Sequence, residues 1–275
     1  MKLLEAYKEG ECDRLSLIIS DVDDTITTEG RLHPDALIAM EEAVEKGYKI
    51  ILLSGGSAGW CDVYLRQWPV YMVIAESGAL LLYKDENGTV CYEKNPLIKE
   101  EDLKKRETLL RMLGSDYLSS DQYARLYDIA VDLHKIPSER VEDVKREVER
   151  MGGHYAFSSI HMNIWFGDYS KRKGLLTFMN LCGIEEGLLK KSSIYLGDAP
   201  NDSDMFSLIP LSVGMVSVME RSKEFTSLPR YYVPYRGGRG FAFAIDELPA
   251  KKKLKIFNKN LLTCFASFCY VSKAR

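Results

Sequence analysis

No apolar run in the 275 residues approaches the roughly 20 that a membrane helix needs, so no integral membrane segment is expected. The opening Met1-Lys2-Leu3-Leu4-Glu5-Ala6 leads into charged residues rather than a long apolar stretch, and a secretory leader is not expected either. Paired cysteines are also missing. Cys12, Cys61, Cys91, Cys182, Cys264 and Cys269 are scattered with no C-x-x-C spacing, which reads as free thiols in a reducing, cytoplasmic setting. His33, His134, His154 and His161 show no zinc spacing, so transition-metal chemistry has no visible ligands. A net charge of only −3 argues against nucleic acid as a partner. Repeats and low-complexity segments are absent.

What is present is ordinary globular composition, with 46% hydrophobic and 28% charged residues. A chain of this length can bury about three quarters of its unfolded surface, enough for one large domain or two unequal ones. Charge is uneven along it. Residues 251–275 hold seven lysines and arginines and no acid, so with the whole chain at −3 the first 250 residues stand at −10. The basic tail, with an apolar patch from Leu261 to Val271, reads as a terminal helix docked on the body. A weak contact with an anionic membrane is the sharper alternative.

Apolar runs mark the core. Leu15–Ser20, Tyr48–Leu53 and Val70–Ala75 read as buried strands separated by helices, the first starting at Pro34 with Leu37, Met40 and Val44 at helical spacing and Gly47 as its stop. Strand, helix, strand is the signature of a parallel sheet. The pattern then changes to a hairpin about Lys84–Gly88, charged helices near 98–114 and 138–151, and short strands near 154–159 and 161–166. Alternation resumes after residue 170, with a helix near 173–183, a strand at 193–196, a helix over 202–208, strands at 211–216 and 231–233, and a last helix at 241–248. The expected fold is α/β: a Rossmann-like parallel core over 1–83 and 169–250, interrupted by an inserted α+β module over 84–168, with 251–275 as the tail.

Three strands end in polar clusters: Asp21-Val22-Asp23-Asp24-Thr25, Ser54-Gly55-Gly56 and Gly197-Asp198-Ala199-Pro200-Asn201-Asp202. Lys171-Arg172-Lys173-Gly174 opens a helix. In open α/β sheets ligands bind beyond the carboxyl ends of the strands, so these clusters converge. Crowded carboxylates raise one another's pKa unless a cation intervenes. Oxygen ligands without His or Cys suit Mg²⁺. A lysine, a serine hydroxyl and glycine amides added to them suit a phosphoryl group.

The four clusters, in this order, resemble the motifs of the haloacid dehalogenase superfamily. Asp21-Val22-Asp23-Asp24-Thr25 is similar to its D-x-D-x-T motif, Ser54 to its second-motif hydroxyl, Lys173 before Gly174 to its third-motif lysine, and Gly197-Asp198 with Asn201-Asp202 to its G-D-x-x-N-D motif. The resemblance implies that Asp21 attacks phosphorus and Asp23 acts as acid and base. Asp21, Asp23, Asp198 and Asp202 would supply the Mg²⁺ site, while Ser54, Gly55, Lys173 and Asn201 would hold the phosphate. Thr25 would support the nucleophile loop. Asp24 stands where many relatives have glycine, and Lys171 and Arg172 read as a solvated helix start. An insert after the third strand resembles the α/β cap of the Cof-type, subclass IIB branch. Glu76, in Glu-Ser-Gly where relatives often show Glu-Asn-Gly, becomes a candidate for touching substrate. Along His161–Phe166, alternation puts His161, Asn163 and Trp165 on one face and Met162, Ile164 and Phe166 on the other.

By this resemblance the expected activity is Mg²⁺-dependent hydrolysis of a small phosphorylated metabolite, a sugar phosphate or sugar-acid phosphate, by a monomer or homodimer. Relatives with this cap act on phosphoglycolate, sucrose phosphate and mannosyl-phosphoglycerate among others. A phosphomannomutase-type sugar phosphomutase, or a non-catalytic binding protein on the same core, are the alternatives.

Overall fold

The structure, a computed structural model, describes residues 1–158 and 160–250. In chain order the first elements are β1 (Lys2–Leu3), β2 (Leu17–Ser20), β3 (Thr27–Thr28), β4 (Arg31–Leu32), α1 (Pro34–Glu45), β5 (Lys49–Leu53), α2 (Ala58–Gln67), β6 (Met72–Ala75), β7 (Leu80–Lys84) and β8 (Val90–Lys94). Then come α3 (Glu100–Leu113), β9 (Asp128–Asp132), α4 (Ser138–Arg150), β10 (His154–Phe157) and β11 (His161–Trp165). The chain continues with α5 (Lys171–Leu181), α6 (Glu186–Ser192), β12 (Ser193–Gly197), α7 (Ser203–Leu208), β13 (Ser212–Gly214), α8 (Val216–Glu220), β14 (Tyr231–Tyr232) and α9 (Gly237–Asp246).

A nine-stranded sheet, in the order β1-β14-β13-β12-β2-β5-β6-β7-β8, forms the centre. It is parallel from β1 to β6, and β7 and β8 extend it antiparallel. Its central strands are buried on both faces, which is why they read as continuous apolar runs. Alternate residues serve opposite layers. Ile18, Ile50 and Leu52 pack toward α1, α2 and α9, whereas Leu17, Ile19, Ile51 and Leu53 pack toward α5, α6 and α7. Helix α1 starts on Pro34, with the His33 ring accepting from the Asp35 N–H, and ends at Gly47, whose φ of 92° suits only glycine there. Its buried stripe is Ala36, Ala39, Met40 and Ala43, whose small side chains let α9 lie close. Val44, expected on that stripe, is 42% exposed.

The hairpin expected to open the insert belongs instead to this sheet. Strand β8 pairs with β7 from Lys84↔Val90 to Leu80↔Lys94. Leu80, Leu81, Leu82 and Tyr83 are buried on both sides and draw their cover from the core layers, so the insert starts after Lys94 rather than at residue 84. Its own sheet is antiparallel, in the order β10-β11-β9. Helices α3 and α4 cover one face through Leu109, Ile129, Val131, Val144, Val148, Met162, Ile164 and Phe166. The face assignment for His161–Phe166 therefore agrees with the structure.

Among the described residues Cys12, Cys61, Cys91 and Cys182 form no disulfide with one another, and no helix is long and apolar enough to cross a membrane. The expected tail helix at 251–275 lies outside the described residues.

Candidate active site

Asp21 follows the end of β2, and its N–H is tied to Leu196 O of the neighbouring strand β12 at 2.9 Å. The parallel register therefore places Asp21 beside Asp198, the residue after β12. Carboxylate oxygens of Asp21, Asp198 and Asp202 come within 4.8 Å of one another. All three side chains are buried, in a sheet-end position with little water to spread their charge.

The cation in this cluster is Lys171, not Lys173. Lys171 Nζ lies 2.8 Å from Asp21 Oδ1 and 2.8 Å from Asp202 Oδ1, and the residue is 6% exposed. Lys173 instead points to solvent and pairs with Asp168. The helix start explains the correction. Ser170 caps α5 by accepting from Lys173 N–H, so Lys171 is its first residue. Two residues further on, a side chain has turned about 200° to the opposite face. Gly174, expected as a marker of the catalytic lysine, has a packing role. A Cβ on it would sit 2.5 Å from Gly78 Cα, so glycine lets α5 approach the turn after β6 closely enough for Lys171 to reach Asp21.

Asp202 has no oxygen left over. Oδ1 accepts from Lys171 and from Tyr195 OH at 2.7 Å, while Oδ2 accepts from the N–H groups of Asp198 at 3.0 Å and Ala199 at 3.2 Å. It shapes the loop and holds the lysine, and it stays within the group of three carboxylates close enough to share an ion. Asp21 and Asp198 are different. Each gives one oxygen to an internal bond, Asp21 Oδ1 to Lys171 and Asp198 Oδ1 to Thr25 Oγ1 at 3.3 Å. Among the described residues the other oxygen of each accepts no hydrogen bond. Burial, and then Asp202 and Asp23, push Asp21 up to about 7 against the pull of Lys171. Asp198 is raised well above the usual carboxylate range by burial and by Asp21, Asp202 and Asp24. Asp23 is raised by burial, against the pull of Lys171. Burial would discharge Lys171, but Asp202 and Asp21 hold it protonated, above the ordinary lysine value. Two buried carboxylates with an open oxygen each, held charged only at a cost, fit a hard divalent cation such as Mg²⁺.

Asp24, where a glycine is common in the resembling motif, adopts the left-handed conformation with φ 55° that glycine favours and aspartate tolerates. Its Oδ1 accepts from Glu29 N–H at 3.1 Å, closing the turn that carries β3 and β4.

Asp21, Asp23, Asp198, Gly55 and Asn201 all line one cavity of about 520 Å³ between the strand ends and the insert. The Asn201 Oδ1 atom is buried there without a hydrogen-bond partner. Thr25 and Ser54 are completely buried and do not reach the cavity wall. The Ser54 hydroxyl accepts from Gly56 N–H at 2.8 Å and so shapes the glycine loop.

Glu76 is not a substrate contact. It is completely buried, and its two oxygens accept from the backbone N–H groups of Ala58, Leu126, Tyr127 and Asp128 at 2.6 to 3.0 Å. Four donors on one carboxylate fill its lone pairs and stitch the insert to the core. Glu76 and Ser77 pay for this with left-handed φ values of 48° and 57°. Beside it, Arg125 bonds both oxygens of Asp128 at 3.0 Å, Asp121 Oδ2 at 3.2 Å and the Gly55 carbonyl at 3.0 Å. Asn163 Nδ2 donates to the same Gly55 carbonyl at 2.9 Å and to Asp128 at 3.0 Å. Arg125, Asp121 and Asp128 were not anticipated, although the alternation Asp128-Ile129-Ala130-Val131-Asp132 carries a strand signal.

Residues 18–118 match the family model described as haloacid dehalogenase-like hydrolase. Over that stretch the chain is similar to haloacid dehalogenase-like hydrolases. Solved structures agree in fold. A protein from Thermoplasma acidophilum is 20% identical with a TM-score of 0.65, covering 85% of this chain and 98% of its own. A phosphatase of the haloalkanoate (HAD) enzyme superfamily from Bacteroides thetaiotaomicron is 16% identical with a TM-score of 0.60, over 89% and 98%. The sucrose-phosphatase of Synechocystis, solved with sucrose and phosphate, is 15% identical with a TM-score of 0.61, over 86% and 98%. No curated protein matches the chain in sequence.

Proposed function

We propose that this protein is a Mg²⁺-dependent phosphatase acting on a small phosphorylated sugar or sugar acid. The observation that carries the reading is the pair Asp21 and Asp198, each buried with one open oxygen at the floor of a cavity large enough for such a substrate, beside a lysine locked in place. Asp21 Oδ2 would attack phosphorus and displace the sugar oxygen, forming an aspartyl-phosphate. Asp23, raised by burial and lining the same cavity, would give its proton to the leaving oxygen and then take one from the water that cleaves the acyl phosphate. Lys171 and the Ser54-Gly55-Gly56 loop would hold the non-bridging oxygens. Asp21, Asp198 and the Asp23 carbonyl would hold Mg²⁺, which when bound neutralises charge between the carboxylates and the phosphoryl group. The insert would roof the site and exclude water from the first step. Closeness in fold to a sucrose-phosphatase supports the sugar leaving group.

The test is phosphate release from a panel of sugar phosphates with Mg²⁺. Release that stops on chelation, returns with Mg²⁺ and is lost in Asp21→Asn is the expected result. Isomerised sugar phosphate without free phosphate, or no turnover of any ester, overturns the reading.

A further inference from the structure

Trp60, Tyr64 and Trp68 follow one another at four-residue spacing along α2 and its C-terminal cap, and their rings form a ladder. The Trp60 and Tyr64 centroids are 6.1 Å apart at 22°, those of Tyr64 and Trp68 4.2 Å apart at 21°. All three line the cavity that holds Asp21 and Asp23. Trp60 is in the first turn of α2, directly after the Ser54-Gly55-Gly56 loop, and ends the ladder on that side. It is 52% exposed, a large apolar surface left in water beside the site. Stacking on Tyr64 fixes its ring, so a ligand that covers it loses little side-chain freedom in doing so.

The rest of the wall decides what kind of ligand. From the insert come the Ser120 hydroxyl and the imidazoles of His134 and His161, which suit a partner rich in hydroxyls, while the hydroxyls of Ser119 and Ser158 are bonded to Asp121 and to the His161 backbone. Charge narrows it further. Of the described residues that line the cavity, Arg125 alone is a lysine or arginine, and its guanidinium is already committed to Asp128, Asp121 and the Gly55 carbonyl. Lys135, close to His134, is committed to the Leu118 carbonyl and Asp132. The same wall carries Asp24, Asp121 and Asp132 besides the catalytic carboxylates. A carboxylate or second phosphate on the leaving group would find no uncommitted cation and several like charges.

We propose that the leaving group is an uncharged pyranose, stacked through one C–H face on Trp60, with its hydroxyls on Ser120, His134 and His161 of the insert. The proposal rests on the phosphatase reading and sharpens it by excluding sugar acids and bisphosphates. It makes a residue of the core, Trp60, a specificity determinant alongside the insert.

Two measurements test it. The first compares kcat/KM for glucose 6-phosphate, glycerol 3-phosphate, phosphoglycolate and adenosine monophosphate in the wild type, Trp60→Ala and Trp60→Phe. Glucose 6-phosphate is expected to lead. Its advantage over glycerol 3-phosphate is expected to fall about tenfold in Trp60→Ala, chiefly through KM, and to return largely in Trp60→Phe. Equal losses on both esters, or phosphoglycolate or adenosine monophosphate in the lead, overturns the proposal. The second titrates Asp21→Asn with glucose 6-phosphate and follows tryptophan fluorescence, so it does not depend on turnover. A change that saturates and disappears in Asp21→Asn/Trp60→Phe is expected. Absence of binding, or binding with the same signal in both, overturns the stacking even if hydrolysis is observed. Binding without hydrolysis in the wild type overturns the phosphatase reading and leaves the stacking standing.

Discussion

Two networks of buried charge lie a few residues apart, and they are built to opposite ends. The seam between core and insert, Glu76, Arg125, Asp121, Asp128 and Asn163, is closed: Glu76 takes four N–H donors, and Arg125 meets two carboxylates and a carbonyl. The strand-end floor is left incomplete. Asp202 is fully used, but among the described residues Asp21 and Asp198 each keep an oxygen without a donor, and burial drives their pKa values up. A polar network that is complete stabilises; one that is incomplete stores a demand for a ligand. By composition the two look alike.

The sharpest separation comes from Asp21→Asn. On the proposed mechanism the substitution removes the nucleophile at the floor and should lower phosphate release by on the order of 10⁴-fold or more. Because the substitution also removes one of several crowded anions, the unfolding midpoint in urea should hold or rise. A protein that loses activity because it has unfolded would break the contrast.

Lys171→Met and Lys173→Met test the same floor from the cationic side. Lys171 is enclosed by Asp21 and Asp202, and its loss should cost about 10²–10³-fold in kcat/KM at saturating Mg²⁺. Lys173 pairs with Asp168 on the surface, where such pairs contribute at most about 1 kcal/mol. Its variant should stay within about twofold of wild type. The reverse ranking would restore the lysine that motif spacing favours.

At the seam the expected effect is on stability. Arg125→Met leaves Asp128, completely buried, with only Asn163 for company, and should cost about 3 kcal/mol of unfolding free energy. The Gly55 carbonyl keeps its bond from Asn163, so the glycine loop should stay in place. Urea unfolding and kcat at 25 °C read the two effects separately. A large fall in kcat with unchanged stability would mean that Arg125 serves the reaction.

What the sequence made legible follows the same division. Fold class, the converging strand ends and the insertion were readable because buried parallel strands are continuous apolar runs with polar residues at their ends. That Asp21, Asp23 and Asp198 line one cavity was readable because their placement after the strands is itself the motif. The choice between Lys171 and Lys173 was not, since it turns on where Ser170 caps the helix, a matter of one or two residues. Glu76 misled for a related reason: a glutamate at a strand end near a junction has the same letters whether it faces a cavity or four backbone N–H groups. The hairpin β7–β8 reads as part of the insert because the sequence pattern changes there, whereas pairing along a sheet edge is long-range information.

His161 stands between the two networks, and its titration gives the smallest effect. Burial, then the positive charge of Arg125, hold its imidazole below the ordinary 6.5, while Asp121, Asp132 and Asp128 oppose them. With a depressed folded-state pKa, its contribution to stability is fully present above pH 6.5 and is lost as pH falls through the folded value, because the unfolded chain takes up the proton first. The difference in unfolding free energy between wild type and His161→Gln should therefore be flat from pH 8 to about 6.5 and decline in wild type below that, measured by urea titration at successive pH values. The direction matters more than its size. If wild type gained stability on acidification, the three aspartates would be outweighing Arg125 at His161. The seam would then be presenting net negative charge to the cavity, and its closure, on which the contrast with the floor depends, would be incomplete.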